Sequence, residues 1–220
     1  MAECMLELLG KNGTIVIEIQ YLLNTLKDLT FDNIYHEHYN YWSLTSLVNF
    51  FNQFNSTIFK VERINTHGGS LRVYIKKGKK VKIENNVKTL LREEEIFGIK
   101  DFKTYQNFGE KINRIKENVI KNINELKKKN NKIIGYGAPA KATTALNFFG
   151  ISDQIDYVVE DNKLKYDKFI PGVLIPIKDK KVLKEKNVLI LVLAWNFYNE
   201  IKKNNINLSN NFVNIKDLEK

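Results

Sequence analysis

Apolar and polar residues follow three rhythms along the chain. "GTIVIEIQYLL" comes after a glycine turn and is apolar and β-branched, which predicts a buried strand over roughly residues 14–20. A loop over 31–42 follows. Ser43 then has the character of an N-cap, and Leu44, Leu47, Val48, Phe50, Phe51 and Phe54 recur at helical spacing behind it. "STIFKVERIN" and "SLRVYIKK" alternate with the period of strands, and "THGGS" between them predicts an antiparallel hairpin. Residues from about 81 to 130 are charged and lack proline. From Tyr105 onward the apolar positions Phe108, Ile112, Ile115, Val119, Ile123 and Leu126 fall three or four apart, predicting a long amphipathic connecting helix. Near residue 130 the rhythm changes again. "NKIIGYGAPAKATTALNFFGI" is strand, glycine turn and helix, while "QIDYVVEDN" and "VLILVLAWNF" are further buried strands. Strands alternating with helices predict a parallel α/β domain over about 130–220.

Composition narrows the class. A chain of 220 residues that is 43% hydrophobic can form one large core or two small ones. The single cysteine, Cys4, excludes an internal disulfide and a cysteine-ligated metal, and fits a reducing compartment. The stretch "MAECMLELLGKNG" is too acidic and its apolar run too short for a signal peptide, and no run approaches the ~20 apolar residues of a membrane span. The expectation is a cytoplasmic protein with no membrane partner. A net charge of +10 raises nucleic-acid binding. Yet only Arg63, Arg72, Arg92 and Arg114 are arginines, and Lys, Asn and Ile are abundant throughout, as in AT-biased coding. Arg forks, not scattered lysines, suit base and phosphate recognition. The expectation is therefore no nucleic-acid partner, and a local positive field for a small anion.

Two stretches carry candidate chemistry. In "GYGAPAK", Gly135, Gly137 and Ala140 spell G-x-G-x-x-A between a strand and a helix, with Glu160 and Asp161 about twenty residues further on. Such a turn lets a phosphate approach Gly137, Ala138 and a helix N-terminus, with Lys141 adjacent, while a downstream acid can meet a ribose. Three readings stand: a plain βα turn, a phosphate contact, or an NAD site. Asn196, after Trp195 at the end of a late strand, is a further ligand candidate or a helix cap. The other stretch is "YHEHYNYW", with His36, Glu37 and His38 in a row. A metal clamp using His67 as well is disfavoured, because residues two apart point to opposite sides of an extended segment. Histidines that satisfy loop carbonyls, and a histidine acting as acid–base catalyst, both remain.

The blocks "YHEHYNYWSL", "HGGSLRVYI", "GYGAPAKATTALNF", "VVEDNKLKYDKFIPG" and "VLAWNF", in that order, resemble the SAM-dependent sugar C-methyltransferase family. The resemblance covers the chain from about residue 10. It implies S-adenosyl-L-methionine as donor, a nucleotide-linked keto-deoxysugar as substrate, and an α/β fold. Residues 1–80 would be the second half of a class I methyltransferase sheet (strand, helix, antiparallel hairpin). Residues 81–220 would be a long connecting helix and a C-terminal Rossmann-like parallel α/β domain, its core at about 130–220. The family reading makes His38 the base, with Tyr35 and Glu37 supporting it. It leaves His36, His67, Gly135, Gly137, Ala138, Lys141, Asp161 and Asn196 for substrate, and no metal in this part.

The family's N-terminal cysteine cluster and glycine-rich SAM loop have no counterpart among these residues. The resemblance thus leads one to expect a truncated or split form, inactive alone and completed by a separate chain that supplies the N-terminal half. An NAD-dependent oxidoreductase and a non-catalytic sugar-nucleotide-binding remnant are the alternatives.

Overall fold

A computed structural model describes residues 2–10, 12–65, 69–130, 132–183, 188–206 and 211–220. Internal contacts divide the chain into two units, residues 1–31 with 38–110 and residues 32–37 with 111–220. The architecture is mixed α/β, with a small antiparallel sheet and a five-stranded parallel one, in agreement with the fold class read from the sequence.

In the first unit, strands β1 (Ile15–Gln20), β2 (Ser56–Ile64) and β3 (Ser70–Lys77) form an antiparallel sheet in the order β1-β3-β2. Register pairs Ile17 with Val73 and Val73 with Val61, which places β-branched side chains in rows across the sheet. Helices α1 (Ala2–Leu8), α2 (Leu22–Lys27) and α3 (Leu44–Gln53) accompany it, and α3 begins as the sequence predicts. Ser43 Oγ accepts from Ser46 N at 3.0 Å, and Ser46 Oγ accepts from Ser43 N at 3.0 Å, a reciprocal capping box. Leu44, Leu47 and Phe51 are buried, while Val48 and Phe50 pack partly against the same core.

The charged stretch after residue 81 holds two helices where the sequence predicted one. Helix α4 (Asn85–Phe97) stops at Gly98, whose φ of 77° closes the helix in the left-handed region. Val87 and Leu90 join the first unit's core. Helix α5 (Phe102–Lys129) follows, with Ile112, Ile115, Val119 and Ile123 buried at the predicted spacing. Its residues through Glu110 count with the first unit and those from Lys111 with the second.

The second unit runs β4 (Ile133–Tyr136), α6 (Ala140–Phe149), β5 (Tyr157–Glu160), β6 (Ile177–Asp179), β7 (Leu189–Val192), α7 (Tyr198–Asn204) and β8 (Asn211–Asn214). The sheet order is β6-β5-β4-β7-β8, and every pairing is parallel. Strands β4 and β7 are buried at every position, as central parallel strands with both faces covered must be. The strand order reverses beside β4, so loops after β4 and β7 diverge there and leave a crevice at the carboxyl ends. The C-terminal turn Ile215–Glu219 is tied to α5: Asn118 Nδ2 donates to Glu219 O and Asn122 Nδ2 to Leu218 O.

Candidate functional site

The glycine turn after β4 is shaped first by packing. A Cβ on Gly135 would lie 2.7 Å from Val158 Cγ2 and 2.9 Å from Leu193 Cδ1. At Gly137 φ is +88°, and a Cβ would stand 2.6 Å from the Cβ of Ala194 in the loop after β7. Only glycine fits here. Gly137→Ala is expected to cost about 2–4 kcal/mol, the sum of a left-handed backbone and a clash. Gly150→Ala, with φ +67° but open space around the new methyl, should cost only about 1 kcal/mol in the same thermal unfolding series.

The turn's amides are already engaged. Gly137 N donates to Val159 O at 2.8 Å, and Ala138 N donates to Glu160 Oε2 at 2.8 Å. Glu160 Oε1 accepts from the amides of Asp161 and Asn162, so the side chain is only 13% exposed yet fully supplied with donors. Burial alone would raise its pKa. The amides of Ala138, Asn162 and Asp161 and the charge of Lys165 outweigh that and hold it below the ordinary glutamate range. Lys165 Nζ donates to Ala138 O at 2.8 Å and closes the loop from the other side. A phosphate at Gly137 and Ala138 would have to displace the Glu160 carboxylate.

The crevice beside this turn has a volume of about 580 Å³. Tyr136, Asp161, Lys180 and Asn205 line it, among others. Lys180 Nζ meets Asp161 Oδ1 at 2.5 Å, and the Tyr136 hydroxyl donates to Asp161 Oδ2 at 3.0 Å. Burial raises the Tyr136 pKa. Asp161 thus stands in the crevice where the sequence expected a ligand-facing acid, with Lys180, unforeseen, as its counter-charge. Asn196 is exposed on the single 3₁₀ turn Trp195–Phe197.

Lys141 points elsewhere. Its Nζ is buried, makes no hydrogen bond among the described residues, and sits 4.9 Å from the centroid of the Trp195 ring. Burial lowers its pKa against the opposing pull of Asp32. Asp32 is 2% exposed and accepts from Trp195 Nε1 at 2.5 Å. Lys216 Nζ lies 3.9 Å from Asp32 Oδ1, 2.8 Å from Glu219 Oε1, and 5.1 Å from the Trp195 ring centroid. These groups hold the segment 32–37, which belongs to the second unit although its sequence neighbours belong to the first. Tyr35, part-buried, follows within that segment, and burial, Glu37 and Asp32 together raise its hydroxyl pKa. It therefore stays a protonated donor at neutral pH. His36 and Glu37 are exposed.

His38 opens the return of the chain to the first unit and meets Tyr41 edge-on, with ring centroids 6.5 Å apart at 90°. His67 lies outside the described residues. Among the described residues no group of three or more His, Cys, Asp or Glu side chains is arranged to hold a metal ion, and no helix is long and apolar enough to cross a membrane. Sequence reasoning missed Asp32, Lys216 and Glu219. No motif marks them, and Asp32 and Trp195 are 163 positions apart.

Comparison with known proteins points one way. The family model described as C-methyltransferase C-terminal domain matches residues 65–213. The C-methyltransferase NovU of Streptomyces niveus is 30% identical over 200 residues, covering 90% of this chain and 48% of that protein. The chain thus spans about half the length of the curated relative it matches.

Proposed function

Because this chain belongs to the C-methyltransferase family and carries its C-terminal domain, we propose that it supplies the deprotonating side of a SAM-dependent methyl transfer to carbon, on a nucleotide-linked keto-deoxysugar. The observation that supports this reading is the match across both units together with the accessible Tyr35–His36–Glu37 segment leading into His38. The oxidoreductase alternative is not favoured: the family is a transferase family, and of the two acids a dinucleotide ribose could use, Glu160 is bonded to three backbone amides and Asp161 is paired with Lys180 and Tyr136.

The described residues do not fit the methyl donor. The first unit's three strands pair only antiparallel, so no parallel strand there opens onto a glycine-rich turn. The turn that does, at Gly135–Ala138, has its Ala138 amide on Glu160. We read the donor site as belonging to sequence equivalent to the relative's other half, on the same or a separate chain, so these residues alone should not methylate.

What this chain's residues do is move a proton. A C–H next to a ketone is acidic because its conjugate base is an enolate, and imidazole is the side chain suited to take that proton near neutrality. In this reading His38 accepts the proton, Tyr35 donates a hydrogen bond to the developing enolate oxygen, and Glu37 orients the pair. The crevice cations Lys165 and Lys180, with Asp161, Asn196, His36 and His67 as the wider candidate set, serve the sugar nucleotide, while Gly135, Gly137 and Ala138 shape the turn beside it and Lys141 is taken up by Trp195. The cytoplasm is the proposed setting, on the single cysteine.

The test is solvent exchange. In deuterated water the chain should wash deuterium into the carbon beside the ketone of a nucleotide-linked keto-deoxysugar, read by NMR, with no methylated product from added SAM. Substrate that binds to saturation but exchanges no faster than in buffer would sink the proposal.

A further inference from the structure

The segment that leads to the proposed base is anchored by side chains far away in sequence. Asp32 is almost wholly buried, yet among the described residues its carboxylate takes just one close donor, the Trp195 indole N–H at 2.5 Å. Its other oxygen makes no hydrogen bond there and faces Lys216 Nζ at 3.9 Å. Around the same indole stand two ammonium groups, Lys141 and Lys216, on elements that enter from α6 and from the C-terminal turn. Glu219, bonded to Lys216, completes a set of two cations and two anions. A buried carboxylate is unfavourable unless it is paired and hydrogen-bonded. Asp32 in this place therefore binds the chain at 32 to the carboxyl end of β7 and to the C-terminal turn. From this anchor Tyr35 is three residues away and Glu37 five. The Tyr35 amide continues the structure by donating to Asn33 O at 3.2 Å.

We propose that Asp32, Trp195 and Lys216 are positioning residues: through the Asp32 carboxylate, the second unit fixes the backbone of residues 32–37 and so sets where Tyr35 and Glu37 are presented. The anchoring stands on geometry alone, and the effect on catalysis rests on the proposed proton transfer. Placement matters for such a reaction, because a displacement of about 1 Å can cost ~10²-fold in rate. Trp195 contributes through one N–H, and Asp32 through one charge, so each has a substitution that removes the contact and nearly keeps the volume.

The experiment compares the parent chain with Trp195→Phe, Asp32→Asn and Lys216→Gln. Amide hydrogen exchange by NMR reads the anchoring. The Tyr35 amide should exchange ~10–100-fold faster in Trp195→Phe and Asp32→Asn, while the Gly137 amide, bonded to Val159 O, keeps its protection. In Asp32→Asn the Trp195 indole proton should also move upfield as its charged acceptor is lost. Substrate deuteration then reads catalysis: kcat should fall ~10–100-fold in Trp195→Phe with KM within about twofold, a split that general loss of fold would not give. Lys216→Gln keeps the test alive if either of the other variants fails to fold.

An unchanged Tyr35 amide in the folded variants overturns the anchoring. A freed Tyr35 amide with parent-level substrate deuteration overturns the positioning role. A freed amide in the variants, with a parent that binds substrate and deuterates nothing, leaves the anchoring supported and removes the proton-transfer reading instead.

Discussion

Replacing His38 by Asn should slow solvent deuteration of the keto-sugar by ~10²–10⁴-fold, the usual loss when a general base is removed. Asn keeps the approximate size and polarity of the ring and cannot take a proton at neutral pH. The first unit contacts His38 through Tyr41, and that edge-on packing is replaceable without disturbing the capping box at Ser43. His36→Asn should cost much less, since His36 is exposed and precedes Glu37 in the segment held by the second unit. Tyr35→Phe should fall between the two. Its hydroxyl pKa is raised by burial, Glu37 and Asp32, so at neutral pH the group donates a hydrogen bond and does not compete as a base. Rates at one neutral pH separate the roles, since loss of the base should cost far more than loss of one hydrogen bond to the enolate oxygen. If His38→Asn deuterates substrate as fast as the parent, the histidines of "YHEHY" have only a structural part.

Much of this arrangement was legible because it rests on local rules. The Ser43 cap, the antiparallel pairing of β2 with β3 and the buried face of α5 each follow from spacing within a short stretch. Strands β6 and β8 were not legible. β8 has no buried residue and β6 only one, so neither carries the apolar run that marks β4 and β7, and each is a strand through its pairing with β5 or β7. Helix α4 was not predicted: only Val87, Leu90 and Glu94 of its thirteen residues are buried, too few apolar positions to stand out in a charged stretch. In the candidate site the sequence located the glycine turn but not what fills it. Glu160 serves as an internal acceptor for Ala138, an outcome that depends on how β5 aligns with β4. Lys141 stands next to the turn in sequence and yet lies on Trp195, a residue 54 positions away that no local pattern links to it. The Asp32 anchor depends wholly on tertiary approach.

The largest stability effect is expected at Glu94, which no motif marks. It lies on α4 in the first unit and is completely buried. Its carboxylate accepts from three donors: the Tyr21 hydroxyl at 2.7 Å, Leu44 N at 2.6 Å and Thr45 N at 2.8 Å. The two amides are the first of α3, groups that have no partner within their own helix. A negative charge there also suits the positive end of the helix. Ser43 supplies the amide of Ser46, so Ser43 and Glu94 divide the work of capping one helix end. Burial and the adjacent Glu94 push the Tyr21 pKa far up, so its hydroxyl remains a donor throughout the accessible pH range. Glu94→Gln keeps the volume but presents an NH₂ group to donors, and should cost about 3–5 kcal/mol, the loss of charge-assisted bonds together with a buried donor left facing donors. Tyr21→Phe removes one of the three donors and should cost only about 1–2 kcal/mol, since Glu94 keeps both amides. The double variant should lose less than the sum, because the new side-chain amide at position 94 would no longer face a phenol. Chemical unfolding followed by Trp42 fluorescence, with Trp195 replaced by Phe in the background, reads the first unit. A Glu94→Gln midpoint equal to that of Tyr21→Phe would mean that water, not the Glu94 carboxylate, satisfies the start of α3.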